Sequence, residues 1–161
     1  MTDLQHLLAH IARTRDCTVT SPRGQPVLRD SERLPDDLAE FYRLVGDVRL
    51  FDHGTYPFRI VGPDELVRAN PEIVAAEFPD DISDSWYIVA RGGPEEAITI
   101  DCNPARLGRC HDSFWDCHGV AGVCPVIALS FTELLQRLFD SAGGYMYWLA
   151  VDPGYGDAYG G

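Results

Sequence analysis

The sequence predicts an α+β domain: a twisted, mainly antiparallel sheet with helices packed largely on one face. Three observations lead there. The apolar strand-like segments are mostly joined by short turns, and short turns suit antiparallel pairing because parallel neighbours need a long crossover. Amphipathic helix-period segments stand before, between and after these strands, the pattern of an α+β layer arrangement. At 161 residues, a chain of this length buries roughly 68–70% of its unfolded surface, enough for a core without staples.

The elements follow in order. Residues 1–15 form a first helix, with Leu4, Leu7, Leu8 and Ile11 on one side. Residues 17–33 hold Thr18-Val19-Thr20 and then a turn-rich connector, Ser21 to Pro26. A second helix over 35–45 is marked at both ends. Pro35 suits the first helical position, and Asp36 and Asp37 complement the positive end of the helix dipole. Leu38, Phe41, Tyr42 and Val45 form one apolar stripe, and Gly46 supplies a left-handed stop. Short strands follow at Val48 to Phe51 and at Tyr56 to Val61, with Asp52-His53-Gly54 between them.

Gly62-Pro63-Asp64-Glu65 predicts a third helix, reaching about Ala69 and stopping before Pro71. Residues 70–85 are acidic and irregular. Trp86 to Ala90 is a continuous apolar strand, so both of its faces are covered. Ala97 to Asp101 alternates, which predicts one buried face. Leu107 to Cys110 suggests a further strand, and Pro125 to Leu129 another, after a loop over 111–123. Ser130-Phe131-Thr132-Glu133 is a capping box opening a Leu-rich helix that ends near Gly143-Gly144. Tyr145 to Leu149 packs back on the body. The expected organisation is one domain over 1–151 and a mobile Gly-, Tyr- and Asp-rich tail over 152–161.

Composition narrows the function. No apolar run approaches a membrane span, and the N-terminus lacks the basic start and cleavage site of a signal peptide. A cytoplasmic location is expected, with no membrane partner. Thirteen basic residues, all Arg, face 25 acidic ones, a formal net charge of −12. Binding to phosphates needs a basic footprint, so nucleic acid is not a direct partner. The acidity allows the opposite, a basic protein as partner, since opposite charge speeds association, and it equally serves solubility. Five Cys in such a chain read as free thiols rather than a disulfide framework.

Two segments could carry chemistry. Cys102, Cys110, His111, Cys117, His118 and Cys124 are all possible zinc ligands. No CxxC pair occurs, however, and intervals of seven, six and six residues between the cysteines match no common zinc module. A Cys–His hydrolase built on Cys117, with His111 or His53 as base, is opposed by Asp112 and Asp116, which raise the thiol's pKa. Asp80, Asp81 and Asp84 lack the regular spacing of a calcium loop. No cofactor is expected, and no catalytic residue is assigned.

The order of elements resembles the SUKH superfamily, the Smi/Knr-type domain of fungal cell-wall regulators and bacterial immunity proteins. The resemblance rests on Leu34, Pro35, Asp37, Leu38, Phe41 and Tyr42, followed by a glycine and a strand. It continues through the Tyr56-to-Pro63 unit, the strand opening at Trp86, the Gly-Gly turn and Ala97 to Asp101. Ala128-Leu129-Ser130-Phe131, leading into the last long helix, completes it. The resemblance implies a non-enzymatic protein that binds and neutralises a cognate bacterial toxin, in many such systems a nuclease. It also allows a regulatory protein-interaction module; a zinc-stabilised protein using residues 102–124 is a further alternative. The Cys/His-rich stretch and the tail after 151 depart from the family pattern. Charge and expected exposure, rather than the resemblance, select the partner-binding residues: Asp80, Asp81, Asp84, Asp112, Trp115 and Asp116. Trp115 lies in a polar loop, and exposed aromatics anchor interfaces; Trp86, opening a buried strand, is a core residue.

Overall fold

A computed structural model describes residues 1–160. Helix α1 (Asp3–Ala12) buries Leu4, Leu7, Leu8 and Ile11. It is opened by a reciprocal capping box between Thr2 and Gln5. Strand β1 (Cys17–Val19) precedes helix α2 (Asp36–Leu44). In α2 the stripe Leu38, Phe41 and Tyr42 is fully buried. Truncating Phe41 to Ala would cost roughly 3–5 kcal/mol. The Tyr42 hydroxyl donates to the Val61 carbonyl at 2.8 Å, satisfying the one polar atom the stripe takes inside. Asp37 does more than complement a dipole: its Oδ2 accepts from the backbone N–H and hydroxyl of Thr132 at 2.8 and 2.9 Å.

The end of α2 differs from the sequence expectation. Val45 is extended, and Gly46 does not adopt positive φ. Gly46 is instead fixed by close approach: a Cβ there would lie 2.4 Å from the Ser21 carbonyl oxygen. The strand after it stops one residue early, because Phe51 sits in the left-handed region at φ 56°.

Strands β2 (Val48–Leu50), β3 (Phe58–Ile60), β4 (Trp86–Arg91), β5 (Ala97–Asp101), β6 (Cys110–Asp112) and β7 (Val126–Ala128) join β1 in one seven-stranded sheet. Each strand pairs antiparallel with its sequence neighbours, so the sheet is a simple meander. The α+β architecture is therefore the one expected. Helices α1, α2 and α4 (Phe131–Asp140) cover one face, where their apolar stripes meet Val48, Leu50, Ile60, Ile98, Ile100 and Ile127.

The region after β3 is a correction. Pro63–Glu65 is a 3-10 turn, and the helix, α3 (Ala69–Val74), begins later and runs through Pro71. Pro71 is its third residue, where a missing N–H removes no helical bond.

Strand β5 is a second correction: all five of its residues are buried, not one face only. The opposite sheet face carries Trp86, Ile88 and Ala97, covered by α3, Cys124 and residues of the C-terminal tail. That tail, expected to be mobile, is tied down. The Val126 N–H donates to Gly156 O, the Ala158 N–H to Cys124 O, and Asp157 forms a bridge with Pro125. Between α4 and the tail, the short helix α5 (Tyr147–Ala150) packs Tyr147 and Trp148 back on the core.

Candidate interaction surface

The turn between β4 and β5 and the segment leaving β6 build one end of the sheet together. Glu96 folds back so that Oε2 accepts the Gly93 N–H at 2.7 Å. The register places Asp112 opposite Ile98, and the chain then adds two further bonds, Ser113 N–H to Ala97 O and Trp115 N–H to Glu95 O. Asp112 is buried beneath this turn. It accepts the Trp148 indole N–H at 2.9 Å, the Phe114 N–H at 3.1 Å and the Cys117 thiol at 3.2 Å. Phe114 packs edge-on against Trp148, and its carbonyl accepts from the N–H groups of both Cys117 and His118.

Trp115 stands on this fixed turn with 64% of its surface exposed. It borders a cleft of about 670 Å³ lined by Gly93, Pro94, Glu95, Glu96, Phe114 and Asp116. Nine arginines form ion pairs among the described residues, and none of those pairs involves Glu95, Glu96 or Asp116. The cleft thus presents a large exposed aromatic beside three carboxylates with no cation of their own.

The other acids expected at the surface lie at the opposite end of β4, before Trp86. Asp80 is exposed. Asp84 is engaged internally, accepting from Arg29 at 3.0 Å and Arg68 at 2.8 Å. Asp81 accepts from the N–H and hydroxyl of Ser83 and from the Tyr159 hydroxyl at 2.7 Å. Burial alone would raise its pKa, but these bonds outweigh burial and hold it below the ordinary value. The six residues therefore do not form one patch. Trp115 and Asp116 meet at one end, Asp80 is free at the other, and Asp81, Asp84 and Asp112 have partners within the chain. Charge alone predicted exposure for Asp112; its burial reflects the Trp148 indole, 36 positions away.

The Cys and His residues of 102–124 do not come together as one ligand set among the described residues. Cys102, Cys110 and Cys124 are buried, and Cys117 is half-buried. Burial pushes all four thiols up, Cys124 to about 12. Cys117 faces Asp112, which raises it further, so nothing there activates a nucleophile. His53 lies in a remote turn and bonds Asp16. His111 stacks on Trp86 with ring centroids 3.9 Å apart, and His118 meets the same indole edge-on at 5.7 Å. His118 Nε2 bonds Asn70 Oδ1 at 2.7 Å. Burial lowers His111 to about 3 and His118 to about 4, so both imidazoles are neutral. Among the described residues no three His, Cys, Asp or Glu side chains are arranged to hold a metal ion.

Pro94, Glu95 and Glu96 were not singled out in the sequence. Their local signal, acids following a Gly-Gly-Pro turn, shows exposure but not proximity to Trp115, which depends on pairing across the sheet.

No helix among the described residues is long and apolar enough to cross a membrane. No family model and no solved structure matches the chain. The chain is similar to the immunity protein YokJ of Bacillus subtilis (strain 168), with 46% identity over 156 residues, covering 96% of this chain and 94% of that protein.

Proposed function

The chain belongs to the family of the immunity protein YokJ, and on that premise we propose that it is itself an immunity protein of the SUKH superfamily, binding a cognate toxin and neutralising it. End-to-end similarity to a protein so named carries this reading, since the likeness covers nearly the whole of both chains. The protein acts by association alone, with no chemistry of its own and no cofactor. Its location is the cytoplasm, where a toxin made by the same cell would have to be blocked.

The partner is a basic protein, such as a nuclease whose surface is built for phosphates. A net charge of −12 supports this, because complementary potentials raise association rates and suppress wrong partners. The accessible residues of the contact surface are Trp115 and Asp116, with Asp80 at the far end of β4. Asp81, Asp84 and Asp112 support that surface from within through the bonds described above.

The test is capture and rescue. The full chain, used as bait in its native cell, should retain one basic, toxin-like protein. Producing that protein alone should arrest growth, and co-producing this chain should restore it. Retention of several cellular proteins weakly, with no growth rescue, would replace the immunity reading with a regulatory interaction module.

A further inference from the structure

We propose that the Trp115 cleft is a receptor for a single arginine side chain of the partner, its guanidinium stacked on the indole and paired with the surrounding carboxylates. This deepens the reading of the chain as a toxin-binding protein and rests on it for the identity of the partner.

Four observations carry the inference. First, Trp115 is 64% exposed, whereas the other two tryptophans are buried, with indole N–H groups bonded to Asp101 and Asp112. Second, Trp115 is not on a loose loop. Its own N–H is bonded to Glu95 O, and the adjacent Phe114 is held by Asp112 and Trp148. An aromatic presented on a fixed turn loses little freedom on binding, which is how interface anchors behave. Third, the cleft beside it, about 670 Å³, has room for a long side chain. Fourth, Glu95, Glu96 and Asp116 line that cleft, and among the described residues no arginine pairs with them.

The occupant that satisfies both the indole face and the carboxylates is a cation. A guanidinium fits better than an ammonium, since its plane stacks on the ring while its edge donates in parallel to a carboxylate. A lysine supplies only a strongly hydrated point charge. A second copy of this chain is a poorer occupant, because two surfaces with the same negative charge repel.

The test uses the intact protein labelled at its tryptophan indoles with ¹⁵N. The probe is acetyl-Gly-Arg-Gly-amide, compared with the citrulline and lysine peptides of the same length. The arginine peptide should shift the Trp115 indole resonance saturably and leave those of Trp86 and Trp148 in place; those two also report that each variant is folded. Asp116→Asn or Glu95→Gln should weaken the arginine peptide by roughly 2- to 30-fold, and Trp115→Ala should abolish the saturable binding of that peptide measured by isothermal titration calorimetry. The proposal is overturned if the Trp115 resonance does not move, if citrulline or lysine acts as well as arginine, or if the resonance moves with protein concentration alone. Failure of the cleft and failure of the immunity reading are distinguishable. A toxin captured equally by the parent and by Trp115→Ala would remove the cleft and leave the immunity reading intact. Arginine binding without a captured toxin would do the reverse.

Discussion

The indole N–H of Trp148 donates to Oδ2 of Asp112 at 2.9 Å, with both residues buried. This bond joins α5 to the end of β6 and fixes the turn that presents Trp115. Asp112 also accepts from the half-buried Phe114 N–H, so its removal strands that donor and the buried Trp148 indole, while the Cys117 thiol keeps its bond to the Asp112 backbone carbonyl. Leaving such donors unsatisfied costs about 2–3 kcal/mol. Asp112→Ala should therefore lower Tm by roughly 4–12 °C for a chain of this size, read by thermal melting. An unchanged Tm would mean that the turn holds without this carboxylate.

Asp84 and Asp80, four residues apart, should behave oppositely. Asp84 neutralises Arg29 and Arg68, and the Arg68 Nε is already a buried donor without a partner. Asp84→Ala removes one of two carboxylate partners from each arginine, leaving Arg29 to Glu32 and Arg68 to Glu77, and should cost about 0.5–1.5 kcal/mol. Asp80 is exposed, and Asp80→Arg should leave the melt unchanged while slowing association with a basic partner, the more so at low salt. Matched melts for the two variants would show that the Asp84 pairs contribute nothing.

These contrasts mark the boundary of what the sequence shows. The stripe of α2 and the capping serine of α4 are local periodic signals, and both stand where the sequence places them. The exposure of Trp115 was legible, because the segment around it has no periodic apolar stripe for the indole to join. Asp112 was not, since the partners that bury it come from α5 and from the register of β5 with β6. Glu95 and Glu96 joined the same cleft only through pairing across the sheet. The helix expected at Gly62 moved to Ala69 because a Pro-acid start is equally compatible with a single 3-10 turn.

The two buried histidines predict an acid-sensitive fold. In the unfolded chain an imidazole titrates near pH ~6.5, whereas burial lowers His111 to about 3 and His118 to about 4. Above the unfolded value both are neutral in either state, and the full stability is present. As pH falls below it, the unfolded chain takes up protons that the folded chain refuses. Stability is then lost, at up to about 1.4 kcal/mol per pH unit for each histidine, until the folded values are reached. Tm should fall steadily from pH 7 to pH 4, and His118→Gln should flatten part of that slope. A melt independent of pH over this range would mean that these imidazoles are protonated as readily in the fold as in the unfolded chain.

Asp157 should decide whether the tail stays on the sheet. Its carboxylate accepts from the backbone N–H groups of Gly122, Cys124 and Tyr159 at 3.0, 2.7 and 3.0 Å. Burial alone would raise its pKa, but these three donors hold it below the ordinary value. It thus joins the loop after β6 to the tail that covers Trp86 and Cys124. Asp157→Ala deletes the acceptor that links the Gly122 and Cys124 N–H groups to the tail and so loosens the tail from the sheet. Limited proteolysis should then cut within 152–160 faster than in the parent, and the fluorescence of Trp86 should shift to the red as Tyr159 leaves it. Tyr159→Phe separates the two contributions, because it keeps the ring against Trp86 but deletes the hydroxyl bond to Asp81. Cleavage that accelerates in the Asp157 variant and not in the Tyr159 variant would place the anchor at the carboxylate; parent-like cleavage in both would place it in the apolar contact with Trp86.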